Sequence, residues 1–167
     1  KSYGVTTLEK RHVKNKNGQL IIDFIGKKGV RNTCPVINKK VARNLKTKKK
    51  TNGNMNRLFS YRDGTSYHNI TSNDVNQYLK KMGNVSTKYF RTWSANISLI
   101  MELLDGKSLK ESIDITALKL HNTPTVCKKN YLDPKLIRFN ETNPKLFIKN
   151  FKGDVNKLYY EFLKSNY

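Results

Sequence analysis

Three histidines, His12, His68 and His121, and two cysteines, Cys34 and Cys127, are the side chains of this sequence that most often hold a transition metal. None has a CxxC or CxxH companion, so no zinc centre is expected and the cysteines read as ordinary reduced thiols. No P-loop and no G-x-S-x-G turn occurs, so neither nucleotide-driven chemistry nor a serine triad has support, and no cofactor is expected. What the chain offers instead is tyrosine, arginine and lysine gathered in three short segments. They are Phe24-Ile25-Gly26-Lys27-Lys28-Gly29, Thr87-Lys88-Tyr89-Phe90-Arg91-Thr92-Trp93, and the run from His121-Asn122-Thr123-Pro124 to Lys128-Lys129-Asn130-Tyr131.

These segments lie in a strongly basic chain. Lys and Arg number 33 against 12 Asp and Glu, a formal charge of +21 with a pI near 10.0. Such an excess opposes compaction by self-repulsion and points to a polyanionic partner, nucleic acid above all. The plainer alternative is a generic basic protein, or a product of a genome rich in Lys and Asn codons. No apolar run approaches about 18 residues, so a membrane is not an expected partner. Hydrophobic residues make up 37% of the 167, enough for a modest core in one domain, or one domain with a tail. No signal peptide opens the chain, which starts at Lys1 without Met; a piece of a longer or processed intracellular protein is expected.

Taken together and in order, the three segments resemble type IB DNA topoisomerases of the bacterial, poxvirus and large-virus branch. Phe24 to Gly29 is similar to that family's F-x-G-K hairpin, Lys88 to Thr92 to its K-x-x-R-T motif, and Asn122 to Tyr131 to its N-T-P-x-V-x-(K/R)-x-x-Y segment. Ser2-Tyr3-Gly4-Val5-Thr6-Thr7-Leu8 and Leu58-Phe59-Ser60-Tyr61 fit the same branch. The resemblance implies a nucleophilic Tyr131 that joins a DNA 3′-phosphate, with Arg91 stabilising phosphoryl oxygens, Lys27 protonating the leaving 5′-oxygen and Asn122 donating a neutral hydrogen bond. It also implies ATP-independent relaxation of double-stranded DNA by a monomer, with Lys28, Ser72, Lys88, Lys128 and Lys129 contacting the substrate. The compartment would be a virion or viral replication site, or otherwise cytoplasm or nucleoid. A further catalytic arginine and an N-terminal clamp domain are expected upstream of Ser2, outside the chain. On that expectation the chain holds four of five catalytic side chains, and alone binds DNA but cleaves it slowly or not at all.

Each residue has an ordinary reading as well. A tyrosine near a helix end is usually a half-buried core residue, and a lone arginine a surface cation. Lys27 and Lys28 could be turn charges that discourage edge pairing. His121 competes with Asn122 for the donor role. Trp93 reads as core, because it shares a helical face with Ile97 and Ile100. Two rival functions stay open: a tyrosine recombinase, which would place histidine where Lys88 stands, and a non-catalytic basic DNA-binding module.

The positioning elements predict an α+β fold, mainly helical, with a small three-stranded antiparallel sheet at the start. Strands are expected over Val5–Val13, Leu20–Ile25 and Val30–Val36, turning at Lys16-Asn17-Gly18 and at Gly26–Gly29. A short basic helix follows over Ile37–Leu45, then a polar loop over Lys46–Asn56. Further helices are predicted near Thr71–Met82, from Thr87 to Leu104 with Phe90, Trp93, Ile97, Ile100, Met101 and Leu104 inward, and over Ser108–Leu120, Asn130–Arg138 and Asp154–Asn166.

Overall fold

The computed structural model describes residues 1–51 and 55–167, which fall into two units, Lys1–Asn84 and Val85–Tyr167. The class is α+β and mainly helical, with the three-stranded antiparallel sheet at the N-terminal end.

In the first unit the sheet begins later than the sequence predicts. Residues up to His12 form two short 3₁₀ turns, Val5–Thr7 and Lys10–His12, in place of a strand. Side chains take the backbone donors a ladder would need: Gly4 N donates to Thr7 Oγ1 at 2.8 Å and Glu9 N to His12 Nδ1 at 2.9 Å. Strand β1 is therefore only Val13–Lys16, paired antiparallel with β2, Gln19–Ile25. Asn17 and Gly18 join them with φ of 50° and 80°, the left-handed pair that suits strand twist. β3, Arg31–Pro35, closes the sheet in the order β1-β2-β3.

Alternation on β2 sends Leu20 into a cluster with Leu8, Val13, Leu45 and Leu58, while Asp23 is buried as an acid. Its carboxylate takes Lys14 Nζ at 2.7 Å and Arg31 Nε and Nη2 at 2.8 Å each. Those partners hold its pKa well below the usual carboxylate range, and they bind all three strands through one charged group.

Helix α1 runs over Lys39–Thr51, so the loop expected from Lys46 is helical as far as Thr51; residues 52–54 of that stretch lie outside the described residues. Lysine is a good helix former, and here two lysines also serve the fold. Lys48 Nζ donates to Ser60 O at 3.2 Å and Lys49 Nζ to Val13 O at 2.7 Å, while Leu45 enters the core. A second hairpin, β4 Ser60–Asp63 and β5 Ser66–Asn69, went unread in the sequence, although Gly64 at φ 56° is a hairpin signal. Helix α2, Ser72–Lys80, starts where predicted: Thr71 and Asp74 cap it reciprocally.

The second unit is helical: α3 Thr87–Leu104, α4 Leu109–Lys119, α5 Pro124–Asn130, α6 Pro134–Thr142, α7 Pro144–Phe151 and α8 Val155–Asn166. Ala95, Leu99, Ile100 and Leu103 of α3 form its core with Ile113, Ala117, Leu136, Phe147, Phe151 and Tyr159. Of the inward stripe predicted on α3, Ile100 is buried and Trp93, Ile97 and Leu104 pack against the core, while Phe90 and Met101 are 61% and 56% exposed. The buried face is centred on Asn96, a polar residue that a count of apolar positions passes over. The single helix expected over Asn130–Arg138 is broken. Pro134 has no N–H to continue α5 and restricts Asp133 before it, so the chain passes through a three-residue link, 131–133. Helix α7 was not predicted; Pro144 starts it and Phe147 and Phe151 bury it.

Because the pKa of Asp23 is depressed, its contribution to stability is present above the ordinary carboxylate value of 3.8 and is lost as pH falls below that toward the folded-state value. Asp23→Asn is expected to destabilise the chain at neutral pH and to flatten its acid response. Urea midpoints between pH 6 and 2.5 check this, and an unchanged acid slope would contradict it.

Candidate active site

The site is built by the way three helices end. Helix α4 stops in a Schellman arrangement, in which His121 N donates to Leu118 O at 3.0 Å and Asn122 N to Ala117 O at 2.9 Å. His121 is the left-handed residue of that motif, φ 53°, with its side chain in solvent. Asn122 follows with its amide Nδ2 buried and donating to no group among the described residues. Thr123 then caps α5 by accepting from Val126 N at 3.3 Å, and Pro124 fills the first helical position, where no N–H is needed. The Asn-Thr-Pro signature is thus a helix stop followed at once by a helix start.

Helix α5 lasts seven residues and Tyr131 is its C-terminal cap, with φ −131° and ψ −28°. Its amide donates to Cys127 O at 3.0 Å, and its half-buried ring packs against the core. Arg91 lies on the exposed side of α3, with Cζ 5.2 Å from the centroid of the Tyr131 ring, a cation–π contact. Its Nη2 donates to Leu120 O, two residues before Asn122. A guanidinium has five donors in a planar fork, so this anchor leaves a donor edge that can engage a phosphoryl group.

Behind the tyrosine sits a residue that no sequence pattern flagged. Asn96, wholly buried, donates through Nδ2 to Tyr131 O and Thr92 O at 2.9 Å each and accepts from Asp133 N at 2.8 Å. One amide therefore fixes the backbone on both sides of Leu132. Its visible signal is a polar residue at helical spacing, three after Trp93 and four before Ile100, on the apolar stripe of α3. Trp93 is half-buried as predicted, its ring 5.0 Å from that of Tyr159, and its Nε1 donates to Asn156 Oδ1 at 2.9 Å. Burial pushes the Cys127 thiol pKa up, which makes it a packing residue and a poor nucleophile.

Tyr131 lines one wall of a mainly apolar cavity of about 560 Å³, together with Tyr89, Phe90, Trp93, Leu163 and Tyr167. Among the predicted DNA contacts, Lys88 is exposed one turn before Arg91, and Lys128 and Lys129 are exposed on the last turn of α5, Lys129 at the cavity edge. Lys27, Lys28 and Ser72 belong to the first unit. Lys27 and Lys28 are exposed at the tip of the β2–β3 hairpin, where Lys28 has φ 62° and Gly26 N donates to Val30 O at 2.7 Å; Ser72 is the exposed first residue of α2. The second unit thus brings Arg91 and Tyr131 into contact. Among the described residues no helix is long and apolar enough to cross a membrane.

The second unit is helical and lays an arginine over a tyrosine at a helix end, and sequence comparison assigns the family of the chain. Residues 1–148 match the family described as eukaryotic DNA topoisomerase I, catalytic core, and the chain belongs to that family. It is 32% identical over 185 aligned positions to DNA topoisomerase 1B of Acanthamoeba polyphaga mimivirus, an alignment covering 99% of this chain and 54% of that protein. The chain thus spans about half the length of that curated relative.

Removing the Asn96 amide leaves two buried peptide groups unpaired and a small void. Asn96→Ala is expected to cost about 2–4 kcal/mol of stability. Urea denaturation measures it, and a loss under about 0.5 kcal/mol would contradict the clamp.

Proposed function

We propose that the chain is the catalytic part of a type IB topoisomerase that relaxes supercoiled double-stranded DNA as a monomer, without ATP, through a transient single-strand break. The observation that carries the reading is the Arg91 guanidinium over the Tyr131 ring, in a chain of charge +21. In the proposed step Tyr131 Oη forms a bond to phosphorus as its proton leaves to solvent. The P–O5′ bond breaks, and the 5′-oxygen takes a proton from Lys27 Nζ. The 3′-phosphotyrosine keeps the energy of the phosphodiester, so the 5′-hydroxyl reseals the strand by the reverse path with no nucleotide consumed. Arg91 supplies a fixed positive charge as charge builds on the phosphoryl oxygens.

Asn122 is proposed as a neutral donor to one of those oxygens. A buried amide N–H without a partner is uncommon and costly, and a ligand oxygen would satisfy it. His121 has a structural reason to be where it is, as the left-handed residue that ends α4. Lys28, Ser72, Lys88, Lys128 and Lys129 are proposed to bind backbone phosphates, which position DNA without reading its bases. The role of Lys27 rests on the resemblance and on its display at a hairpin tip. The family's further arginine and clamp domain are proposed to come from sequence outside Lys1–Tyr167.

The decisive experiment incubates the chain, and any longer natural form of it, with labelled duplex DNA in the absence of ATP and magnesium. A covalent protein–DNA adduct is expected of the longer form, and a much slower one or none of the chain alone. Tyr131→Phe should abolish it with little change in DNA affinity, and Arg91→Ala should slow it by about 10²–10³. An adduct that survives Tyr131→Phe sinks the assignment of the nucleophile.

The two neighbouring candidates separate by substitution. Glycine suits a left-handed position, so His121→Gly is expected to leave stability unchanged or raise it by up to about 1 kcal/mol, with adduct formation intact. Asn122→Ala should slow adduct formation in that same variant background. Loss of the adduct in His121→Gly alone would instead make His121 the donor.

A further inference from the structure

The link that carries Tyr131 is held from two sides. Asn96 grips it from the core, through Tyr131 O and Asp133 N. On the other side stands the end of α8. Asp133, 9% exposed, caps α6 by accepting from Lys135 N at 2.8 Å and Leu136 N at 3.4 Å, and the same oxygen accepts from the hydroxyl of Tyr167 at 3.0 Å. The Tyr167 ring is itself fixed, with Lys135 Nζ 3.7 Å from its centroid, and that ammonium also donates to Asn166 O. Burial of the hydroxyl and its bond to Asp133 raise the Tyr167 pKa, so it remains a donor through the neutral range.

This arrangement exceeds what capping α6 requires. Two backbone amides already satisfy the Asp133 side chain, as in many helix starts, and a third donor from a residue 34 positions away adds nothing to the cap itself. What it adds is a tie between α8 and the residue two places after Tyr131. Tyr167 and Tyr131 also line the same cavity of about 560 Å³, so this tie sets the space beside the phenol. A side chain mostly open to solvent, reaching inward with its polar end alone, is placed for that contact.

We infer that Tyr167 is a positioning residue for the nucleophile: its hydroxyl, through Asp133, holds the 131–133 link so that the Tyr131 phenol stays beside Arg91. The inference rests on Tyr131 being the nucleophile. Arg91 and Tyr131 lie on different segments, so their contact depends on how the link is held against α3. Asn96 fixes its peptide groups; the Tyr167–Asp133 bond fixes the side at which the chain turns into α6. Loss of that bond frees the link to move without removing any group that touches DNA.

The test places Tyr167→Phe in the longer natural form for rates and in the chain for spectra; the change keeps the ring and its contact with Lys135 but deletes the hydroxyl. The expected result is a three- to tenfold slower single-turnover adduct formation, about what one lost hydrogen bond produces, with DNA affinity within about twofold of wild type and a nearly unchanged Tm. Asp133→Asn keeps an acceptor for both the cap and the hydroxyl and should stay near the wild-type rate, whereas Asp133→Ala should not. Nitrogen-15 spectra of Tyr167→Phe should show shifts at the Tyr131 and Asp133 amides and at the Asn96 side-chain amide. A wild-type rate with unmoved resonances would overturn the inference. So would a rate loss that merely tracks a fall in Tm. If the longer natural form makes no Tyr131-dependent adduct, the nucleophile assignment fails, and the resonance shifts in the chain still decide whether Tyr167 holds the link.

Discussion

Everything at the candidate site depends on one buried amide. Asn96 has an oxygen and two N–H groups, and it uses all three on backbone: Thr92 O, Tyr131 O and Asp133 N. Helix α3 also carries Arg91, five residues earlier. Five residues turn an α-helix by about 500°, which sets the two side chains roughly 140° apart around the axis and about 7.5 Å apart along it. One side chain therefore faces outward as the other faces the core. A single rigid helix thus supplies both the charge beside the phenol and the anchor for the backbone that bears it.

Around that anchor, the site is shaped more by helix ends than by packing. The Schellman turn at Leu120–Asn122, the Thr123-Pro124 start and the Asp133-Pro134 start confine α5 to a short span and force Tyr131 to its end. Had α5 run on, Tyr131 would be an interior helical residue with a fixed direction set by helical period alone. Breaking the helix there releases the residue from that period, and the released backbone groups then need other partners, because buried peptide groups are rarely left unpaired. Asn96 supplies them.

This explains what could and could not be read from the sequence. The hairpins at Asn17-Gly18 and Gly26–Gly29 and the helices starting at Thr71, Thr87, Ser108 and Asp154 were legible, because turn and cap residues act locally. The strand expected over Val5–Val13 failed, since Thr7 and His12 satisfy backbone groups that a ladder would otherwise use. The loop expected after Leu45 failed because lysine is an acceptable helix former and its tertiary partners, Ser60 O and Val13 O, are remote in sequence. At the site, Arg91, Asn122 and Tyr131 were legible only as members of an ordered set of motifs. Asn96 was not, because its function is defined by carbonyls and amides more than thirty residues away. A buried asparagine on the apolar face of a helix is the trace such a residue leaves.

The charge of the chain has the same two-level structure. Acidic residues are few, and most that matter to the fold are engaged: Asp23 with Lys14 and Arg31, Glu102 with Lys107 and Lys119, Asp74, Asp133 and Asp154 at helix starts. Several cations are absorbed as well, Lys48 and Lys49 by carbonyls. Lys27, Lys28, Lys88, Lys128 and Lys129 are different: they are exposed at a hairpin tip, a helix start and a helix end, on backbone held rigid by its own turns. Fold-building pairs do not account for that surplus, and its repulsion is unfavourable to the free chain. A polyanion would relieve the repulsion, and its own condensed counterions would be released, so the same surplus that weakens the isolated fold would favour the proposed complex. For the duplex partner proposed above, rigid presentation of these cations would matter as much as their number, because its phosphates are spaced regularly and flexible charges would lose ordering entropy on meeting them.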